Sequence, residues 1–239
     1  MLFSVLGDAS MNFGQKLLTI LVLVFCVLLS LSVHELGHGL AAYAMGDYTA
    51  KSSGRLSLNP LHHLDPIGAI CLFLFGFGWA KPVPVNPYNF KNQKGGMVLT
   101  SLAGPFTNFI LAFIAQIGVA ALGSITFRSA NIGYDIASVF YMICSYMVIM
   151  NLGLAIFNLI PVPPLDGSKV LSSVLPTDLY FKYMQYEQFG FILLILLINL
   201  PFFSRLLNMC VYGIMGFYSQ IISPVSYTHL RAHETRHDL

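Results

Sequence analysis

Residues 16–44 read KLLTILVLVFCVLLSLSVHELGHGLAAYA, a largely apolar run that ends near two histidines and a glutamate. A helix needs about 20 mostly apolar residues to cross a bilayer, and this run is longer. No basic residue precedes Lys16, and no small-residue cleavage site follows Val33, so the pattern is not that of a signal peptide. The stretch predicts a retained membrane helix that carries polar side chains near one end.

The composition of the whole chain agrees with a membrane protein. Of its 239 residues, 56% are hydrophobic and 9% are charged, and the net charge is +2. A soluble domain carries about 25% charged residues to coat its surface. The composition therefore excludes an ordinary cytosolic enzyme, a disordered protein and a nucleic-acid-binding protein, which would need a clustered basic face. The four cysteines lie in apolar runs without a CxxC pair, which predicts buried hydrophobic side chains.

Other apolar stretches predict four further membrane helices, at about residues 97–122, 136–160, 188–200 and 206–222. The apolar segment 66–80 is too short to span and contains three glycines, which indicates a re-entrant or interfacial element. Residues 48–58 and 79–85 suggest short strands, the latter at a sheet edge because prolines donate no ladder hydrogen bond. We expect an all-α polytopic membrane protein with about five transmembrane helices and a small β or re-entrant element between the first two.

One membrane-embedded domain is expected over residues 1–225, with its functional core at about 16–171. Residues 226–239 read SYTHLRAHETRHDL, a polar tail that we expect to be disordered or a non-native addition. The tail contains a second HExxH pattern at 233–237, but a solvated tail offers nothing that excludes water, so no site is expected there. Seven Lys and Arg residues against three predict that the loops after the first and third helices face the cytoplasm.

The sequence His34-Glu35-Leu36-Gly37-His38 forms an HExxH pattern on the first helix. Histidines four residues apart lie about 40° apart around a helix and about 6 Å along it, so both can hold one metal ion. The glutamate beside the first histidine can reach an attacking water and act as general base. Ionisable side chains at membrane depth are costly, which favours a functional role. The pattern predicts a zinc site with two histidine ligands and a glutamate base.

A catalytic zinc usually has three protein ligands and one open position, so a third ligand is needed. If segment 66–80 does not cross the membrane, the first and third helices end on the same side. Asp166 follows the third helix and is the only acid near that exit. The prolines at 161–164 predict an extended backbone that holds Asp166 in place. The alternative for Asp166 is an ordinary Asp-Gly turn, and the rival ligands His62 and His63 are more simply exposed loop residues.

Three asparagines, Asn108, Asn151 and Asn158, lie inside apolar helices. Asn151 and Asn158 are seven residues apart and therefore share one helix face. Hydrogen bonds between membrane helices are the favoured interpretation, because such bonds hold membrane bundles together. Contact of one asparagine with a substrate backbone is the alternative.

Together these motifs resemble the site-2 protease family of intramembrane zinc metallopeptidases over about residues 17–171. The motifs are HELGH at 34–38, KPVPVNP at 81–87, GPFTN at 104–108 and NLIPVPPLDG at 158–167. The resemblance implies a three-helix catalytic core and one zinc per chain. It also implies that His34, His38 and Asp166 bind the zinc and that Glu35 activates water.

The resemblance further implies an integral enzyme of a prokaryotic cell membrane with its active site toward the cytoplasm. Its substrates would be proteins with a transmembrane segment, and its other partner would be the lipid bilayer, with no nucleic acid. No room is expected for the PDZ or CBS domains that many members carry, which is typical of the compact prokaryotic subgroup. The extended Lys81–Val85 segment is a candidate for holding an unwound substrate by β-augmentation.

Two alternatives from other functional classes remain at this stage. A membrane metal-ion transporter would also place histidine and aspartate in the membrane, but it should offer several sites along a path and often an inverted repeat. A noncatalytic relative that binds membrane proteins would be expected to have lost Glu35, which is present.

Overall fold

The computed structural model describes residues 2–68, 71, 80–125, 132–176, 179, 183 and 187–234. In this part of the chain the named elements are helices, with one 3-10 turn at Pro87–Asn89. The helices are α1 (Leu2–Gly7), α2 (Phe13–Ala44), α3 (Thr49–Ser52), α4 (Pro60–His63), α5 (Gln93–Gly123), α6 (Ile132–Asn158), α7 (Asp166–Val174), α8 (Glu187–Ile198) and α9 (Pro201–Glu234).

Three of these helices, α2, α5 and α6, are long and apolar enough to cross a membrane. Helix α8 is too short to span alone, and it meets α9 at an angle of 77°. Pro201 has no N–H to continue α8, which explains the break. The all-α polytopic architecture is confirmed, but length and composition allow three spans in the described ranges, or four with the bent pair, rather than five.

Helix α2 carries the HExxH pattern, and its start is defined by a capping box. The Asn12 side chain accepts a hydrogen bond from the Gln15 backbone, and the Gln15 side chain accepts one from the Asn12 backbone. The helix therefore begins three residues before the predicted Lys16. It ends at Ala44, and Gly46 adopts a positive φ of 102° just beyond it.

The apolar core lies where α2, α5 and α6 pack together, with one contribution from α9. Its buried members are Val22, Cys26, Ala112, Ala115, Met147, Val148, Leu152 and Val211. Ala112 and Ala115 are small, and small residues allow membrane helices to approach closely. The four cysteines are free, and Cys26 is fully buried as predicted, whereas Cys71, Cys144 and Cys210 are only partly buried.

The strand predicted at residues 48–58 is wrong, because a local turn outcompetes it. The Asp47 carboxylate accepts hydrogen bonds from the N–H and the hydroxyl of Thr49 and so starts the short helix α3. Gly54 follows that helix with a φ of 65°, a left-handed conformation that interrupts any extended strand.

Residues 81–86 run without regular secondary structure, and no sheet is present among the residues that the structure describes. One isolated antiparallel bridge joins Leu64 to Ala80, and the Lys81 N–H donates to the His63 carbonyl at 2.8 Å. The expected strand at 79–85 is therefore reduced to a single bridge. Most of the re-entrant element expected at 66–80 lies outside the described residues.

The polar tail, expected to be disordered or a non-native addition, is helical as far as Glu234, where α9 ends. No glycine or proline follows Pro224 in this stretch, so no residue there breaks the helix. Residues 235–239, with the second half of the later HExxH pattern, lie outside the described residues.

Candidate metal centre and active site

Three side chains from two distant stretches meet at the end of the bundle. His34 and His38 project from α2, and Asp166 is the first residue of α7. The two Nε2 atoms are 3.1 Å apart, and they lie 3.1 and 3.0 Å from Asp166 Oδ2. All three residues are buried. One oxygen and two ring nitrogens thus point at a common centre.

The partners of the other ring nitrogens determine which histidine atoms carry protons. His38 Nδ1 lies 2.7 Å from the Thr100 carbonyl oxygen, which can only accept, so Nδ1 carries the proton. His34 Nδ1 lies 2.6 Å from Asn108 Oδ1, and Asn108 Nδ2 is already donating to Asn151 Oδ1 and the Ser30 carbonyl. A neutral imidazole has one donor and one acceptor nitrogen, so both Nε2 atoms present lone pairs.

This donor set fits a zinc ion. Two ring nitrogens and a carboxylate oxygen converge in a buried space, and a shared cation, either a proton or a metal ion, is needed to hold them so close. A tetrahedral zinc with ligands at about 2.0–2.2 Å separates its ligand atoms by about 3.3–3.6 Å, slightly more than the 3.0–3.1 Å between these atoms. Two histidines and one carboxylate leave the fourth position open, which is typical of catalytic rather than structural zinc.

Two glycines bring α2 and α5 close enough to build the centre. A Cβ at Gly104 would clash with His38 Nε2 and lie 2.8 Å from His34 Cε1. A Cβ at Gly37 would lie 2.6 Å from the Thr107 hydroxyl. The GPFTN stretch therefore has a physical role here, since Gly104 clears space for the imidazoles and Asn108 hydrogen-bonds one of them.

Asp166 reaches the histidines through a tight connection between α6 and α7. The sequence predicts an extended backbone at this point, but Asp166 instead begins a helix, with Leu165 as its N-cap residue. Gly167 packs against the Leu159 carbonyl so closely that a Cβ would clash, which explains the glycine of the Asp-Gly pair. The second carboxylate oxygen, Oδ1, lies 3.2 Å from Lys169 Nζ, so Oδ2 alone faces the imidazoles.

Glu35 is buried, and its environment differs from that of the histidines. Its Oε2 accepts a hydrogen bond of 2.8 Å from the Val83 backbone N–H. Val83 belongs to the KPVPV segment, which the sequence associates with substrate binding. Sequence reasoning missed this contact, because a backbone donor leaves no signature in a residue pattern.

The other polar residues singled out in the sequence lie outside the metal cluster. His62 is exposed, whereas His63 is buried and its Nε2 lies 2.7 Å from the Ser57 carbonyl, which corrects its expected exposure. Asn108 and Asn151 form the interhelical hydrogen bond that their positions predict. Asn158 instead bonds to the Leu154 carbonyl of its own helix.

Asp47 is a buried carboxylate near Glu35's loop partner that the sequence analysis did not single out. Burial raises the pKa of its carboxyl, but hydrogen bonds from the Thr49 hydroxyl, the Asn86 N–H, the Asn89 amide and the Thr49 N–H outweigh burial, and the pKa is lowered. The ionised Asp47 thus ties the end of α2 to the loop that follows the KPVPV segment.

Comparison with known proteins gives a consistent result. The model of peptidase family M50 matches residues 122–198. The Bacillus subtilis (strain 168) protein named "Putative zinc metalloprotease YwhC" is 39% identical over 210 residues, which cover 85% of this chain and 93% of that relative. "Putative zinc metalloprotease Rip2" of Mycolicibacterium smegmatis is 26% identical over 195 residues, which cover 80% of this chain and 71% of that relative. No solved structure matches the chain significantly.

Proposed function

Because this chain belongs to peptidase family M50 and is a zinc metalloprotease, we propose that it hydrolyses peptide bonds of membrane-spanning proteins. In this proposal His34, His38 and Asp166 hold one zinc ion, and Glu35 is the general base. The observation that carries the proposal is the convergence of two imidazole lone pairs and one carboxylate oxygen within 3.1 Å of one another in a buried site.

Zinc bound by these three residues would lower the pKa of a water and polarise the scissile carbonyl. The protein's own groups supply the remaining steps. Glu35 accepts the proton of the attacking water at Oε1, since Oε2 is engaged by the Val83 N–H. It then delivers that proton to the leaving amine nitrogen, as a general acid.

Asn108 and Thr100 keep the two imidazoles oriented for this chemistry. Each accepts a hydrogen bond from an Nδ1–H group, so the corresponding Nε2 keeps its lone pair for the metal. Such outer partners of ligand histidines fix both the tautomer and the ring direction. Lys169 orients the Asp166 carboxylate in a similar way. Its ammonium donates to Oδ1, which leaves Oδ2 for the metal.

The substrate class follows from the location of the site. A transmembrane helix protects its carbonyls by internal hydrogen bonds, so it must unwind before attack. The extended Lys81–Val85 segment would then receive the unwound chain by β-augmentation. Because the Val83 N–H is engaged by Glu35, pairing would use the Val83 carbonyl and the Val85 N–H, which lie on one side of an extended backbone.

The membrane orientation is part of the same proposal. Basic residues are more frequent in the loops after α2 and α6 than on the opposite side, which supports a cytoplasmic location of these loops. The site lies at that end of the bundle, so cleavage would occur near the cytoplasmic surface of a prokaryotic cell membrane.

Metal analysis and a cleavage assay of the purified protein in detergent test the proposal together. Asp166→Ala should lose zinc and cleavage of a single-span substrate, whereas Glu35→Gln should keep zinc and lose cleavage. The matched control is Asp135→Asn, an exposed carboxylate in the first turn of α6, which should keep both. Undiminished zinc in the Asp166→Ala protein would remove Asp166 from the ligand set, and undiminished cleavage by Glu35→Gln would remove Glu35 as base.

A metal-ion transporter is the remaining functional alternative from the sequence. Such a protein needs several metal sites, and in the described part of the chain a single group of three metal-binding side chains is present. Zinc flux into liposomes that depends on Asp166 would favour the transporter, and absence of flux together with peptide cleavage would favour the protease.

A further inference from the structure

We propose that Arg55 is a positioning residue for Glu35 and acts on it through a single peptide group, the one that joins Pro82 to Val83. The proposal rests on the role of Glu35 as general base given above. It concerns how that carboxylate is held in place, which neither the zinc ligands nor the family comparison addresses.

The peptide group between Pro82 and Val83 is bonded at both ends. Its N–H donates to Glu35 Oε2 at 2.8 Å, and its carbonyl accepts from Arg55 Nη2 at 3.0 Å. A peptide group is planar, and its N–H and C=O dipoles are aligned. A cation on the carbonyl therefore polarises the N–H toward the carboxylate, and hydrogen bonds in such a chain strengthen one another.

Val83 supplies the only backbone N–H between Lys81 and Val85. Its neighbours Pro82 and Pro84 have no backbone N–H, so a shift of one residue in either direction would leave Glu35 without this bond. Val83 and Glu35 are 8% and 9% exposed, so water does not readily replace the lost donor. The position of the Val83 N–H is therefore critical for the carboxylate.

Arg55 is suited to hold the segment in this register. It is 8% exposed, and the same Nη2 atom also donates to the Lys81 carbonyl at 2.6 Å. No carboxylate forms an ion pair with Arg55 within the described ranges, although burial of an unpaired cation is costly. Among the described residues, the only charged partner of this segment's carbonyls is Arg55, which donates to two consecutive ones. This arrangement indicates that Arg55 fixes the position of the peptide that bonds Glu35.

The other end of the segment is anchored to the helix that carries Glu35. Asp47 follows α2 directly, is fully buried, and accepts from the Asn86 N–H at 2.7 Å. The Lys81 N–H is held by the His63 carbonyl at 2.8 Å. The segment is thus fixed on both sides of Val83, and Arg55 is the anchor in direct contact with the peptide that bonds Glu35.

Steady-state kinetics of variants with a single-span substrate test this inference. Arg55→Ala should lower kcat about tenfold, and Val83→Pro, which removes the N–H, about 100-fold, with one zinc retained per chain. Val83→Ala keeps the N–H and is the reference for Val83→Pro, whose kcat should be the lower of the two. Lys51→Ala removes an exposed cation of α3 that does not contact the segment, and it should leave kcat unchanged.

Chemical rescue distinguishes a positioning role of Arg55 from a role in stability alone. Added guanidinium should restore part of the kcat of Arg55→Ala without changing its zinc content or its Tm, whereas Arg55→Lys should retain partial activity. If Arg55→Ala does not fold, Arg55→Lys and Val83→Pro carry the test. Wild-type kcat in both of these proteins, with Glu35→Gln inactive, would overturn the inference and leave the proposed function intact. Full activity of Glu35→Gln would instead overturn the proposed function.

Discussion

The two sides of the active site are held by different kinds of structure. The histidines are oriented by groups on membrane helices, namely the Asn108 side chain and the Thr100 carbonyl of α5. The glutamate is oriented by a backbone N–H of the loop segment 81–86, which is itself anchored by Arg55 and Asp47. In the proposed function, metal binding therefore depends on the packing of the bundle, and proton transfer depends on a loop. Substitutions on the helix-held side should therefore change zinc binding, whereas substitutions on the loop-held side should change the rate of cleavage with zinc still bound.

The largest expected effect comes from the ligand and the base themselves. His38→Ala should abolish both zinc binding and cleavage, because it leaves two protein ligands at the centre. Glu35→Gln should keep the zinc and reduce kcat by about 10²–10⁴-fold, the usual contribution of a general base. Metal content per chain and single-turnover cleavage measure the two quantities. Loss of zinc from Glu35→Gln would show that the two sides are not separable.

A glycine substitution tests the helix-held side without removing a polar group. Gly104→Ala should strongly weaken zinc binding, because the new Cβ would clash with His38 Nε2. Gly153→Ala is the matched control on α6, since its Cβ position has no heavy atom within 4 Å beyond its chain neighbours and the backbone of its own helix. The control should bind zinc normally and gain slightly in stability from its higher helix propensity. Equal zinc affinity in both variants would contradict the close approach of α5 to the imidazoles.

Substitution of Asn108 tests whether this residue fixes the tautomer of His34. Asn108→Ala removes the acceptor of the Nδ1 proton and should lower zinc affinity about 10–100-fold, as for other outer partners of ligand histidines. Asn158→Ala removes an asparagine that bonds only within its own helix and should have no such effect. Competition with a chelator of known affinity provides the measurement. An unchanged affinity in Asn108→Ala would place the control of the tautomer elsewhere.

The smallest effect is expected at Asp47, on the loop-held side. Its folded-state pKa lies below its unfolded value, so its stabilising contribution is complete above about pH 4 and is lost as the pH falls through the folded pKa. Asp47→Asn should lower the free energy of unfolding by about 1–3 kcal/mol at neutral pH and reduce the loss of stability on acidification. Thermal unfolding in detergent between pH 3 and 7 measures both effects. The same acid sensitivity in variant and wild type would rule out this role.

Local patterns predicted a large part of this molecule. The three long apolar runs became α2, α5 and α6 with ends within a few residues of those expected, because length and hydropathy alone identify a span. The HExxH spacing correctly put both imidazoles on one face of α2. The parity of the spans predicted that Asp166 would reach the same end, and it lies 3.0 and 3.1 Å from the two histidines.

Predictions were weakest in the polar connections. The strand expected at 48–58 failed because the Asp47 carboxylate and Gly54 favour a helical turn there, a local competition that alternating polarity does not reveal. In the described ranges, the two spans expected near the C-terminus correspond to helices α8 and α9, which together allow one span because the break before Pro201 bends them by 77°. Both errors concern short segments, in which a single cap or proline outweighs periodicity.

Apolar length, helical spacing and the order of the motifs sufficed to identify a membrane zinc peptidase, since each is a property of residues close together in the chain. Tertiary packing alone set the tautomers of the two histidines, the clearance provided by Gly104 and the contact between Glu35 and the Val83 N–H. These depend on backbone atoms and on side chains up to 74 residues away, and such contacts have no counterpart in a local residue pattern.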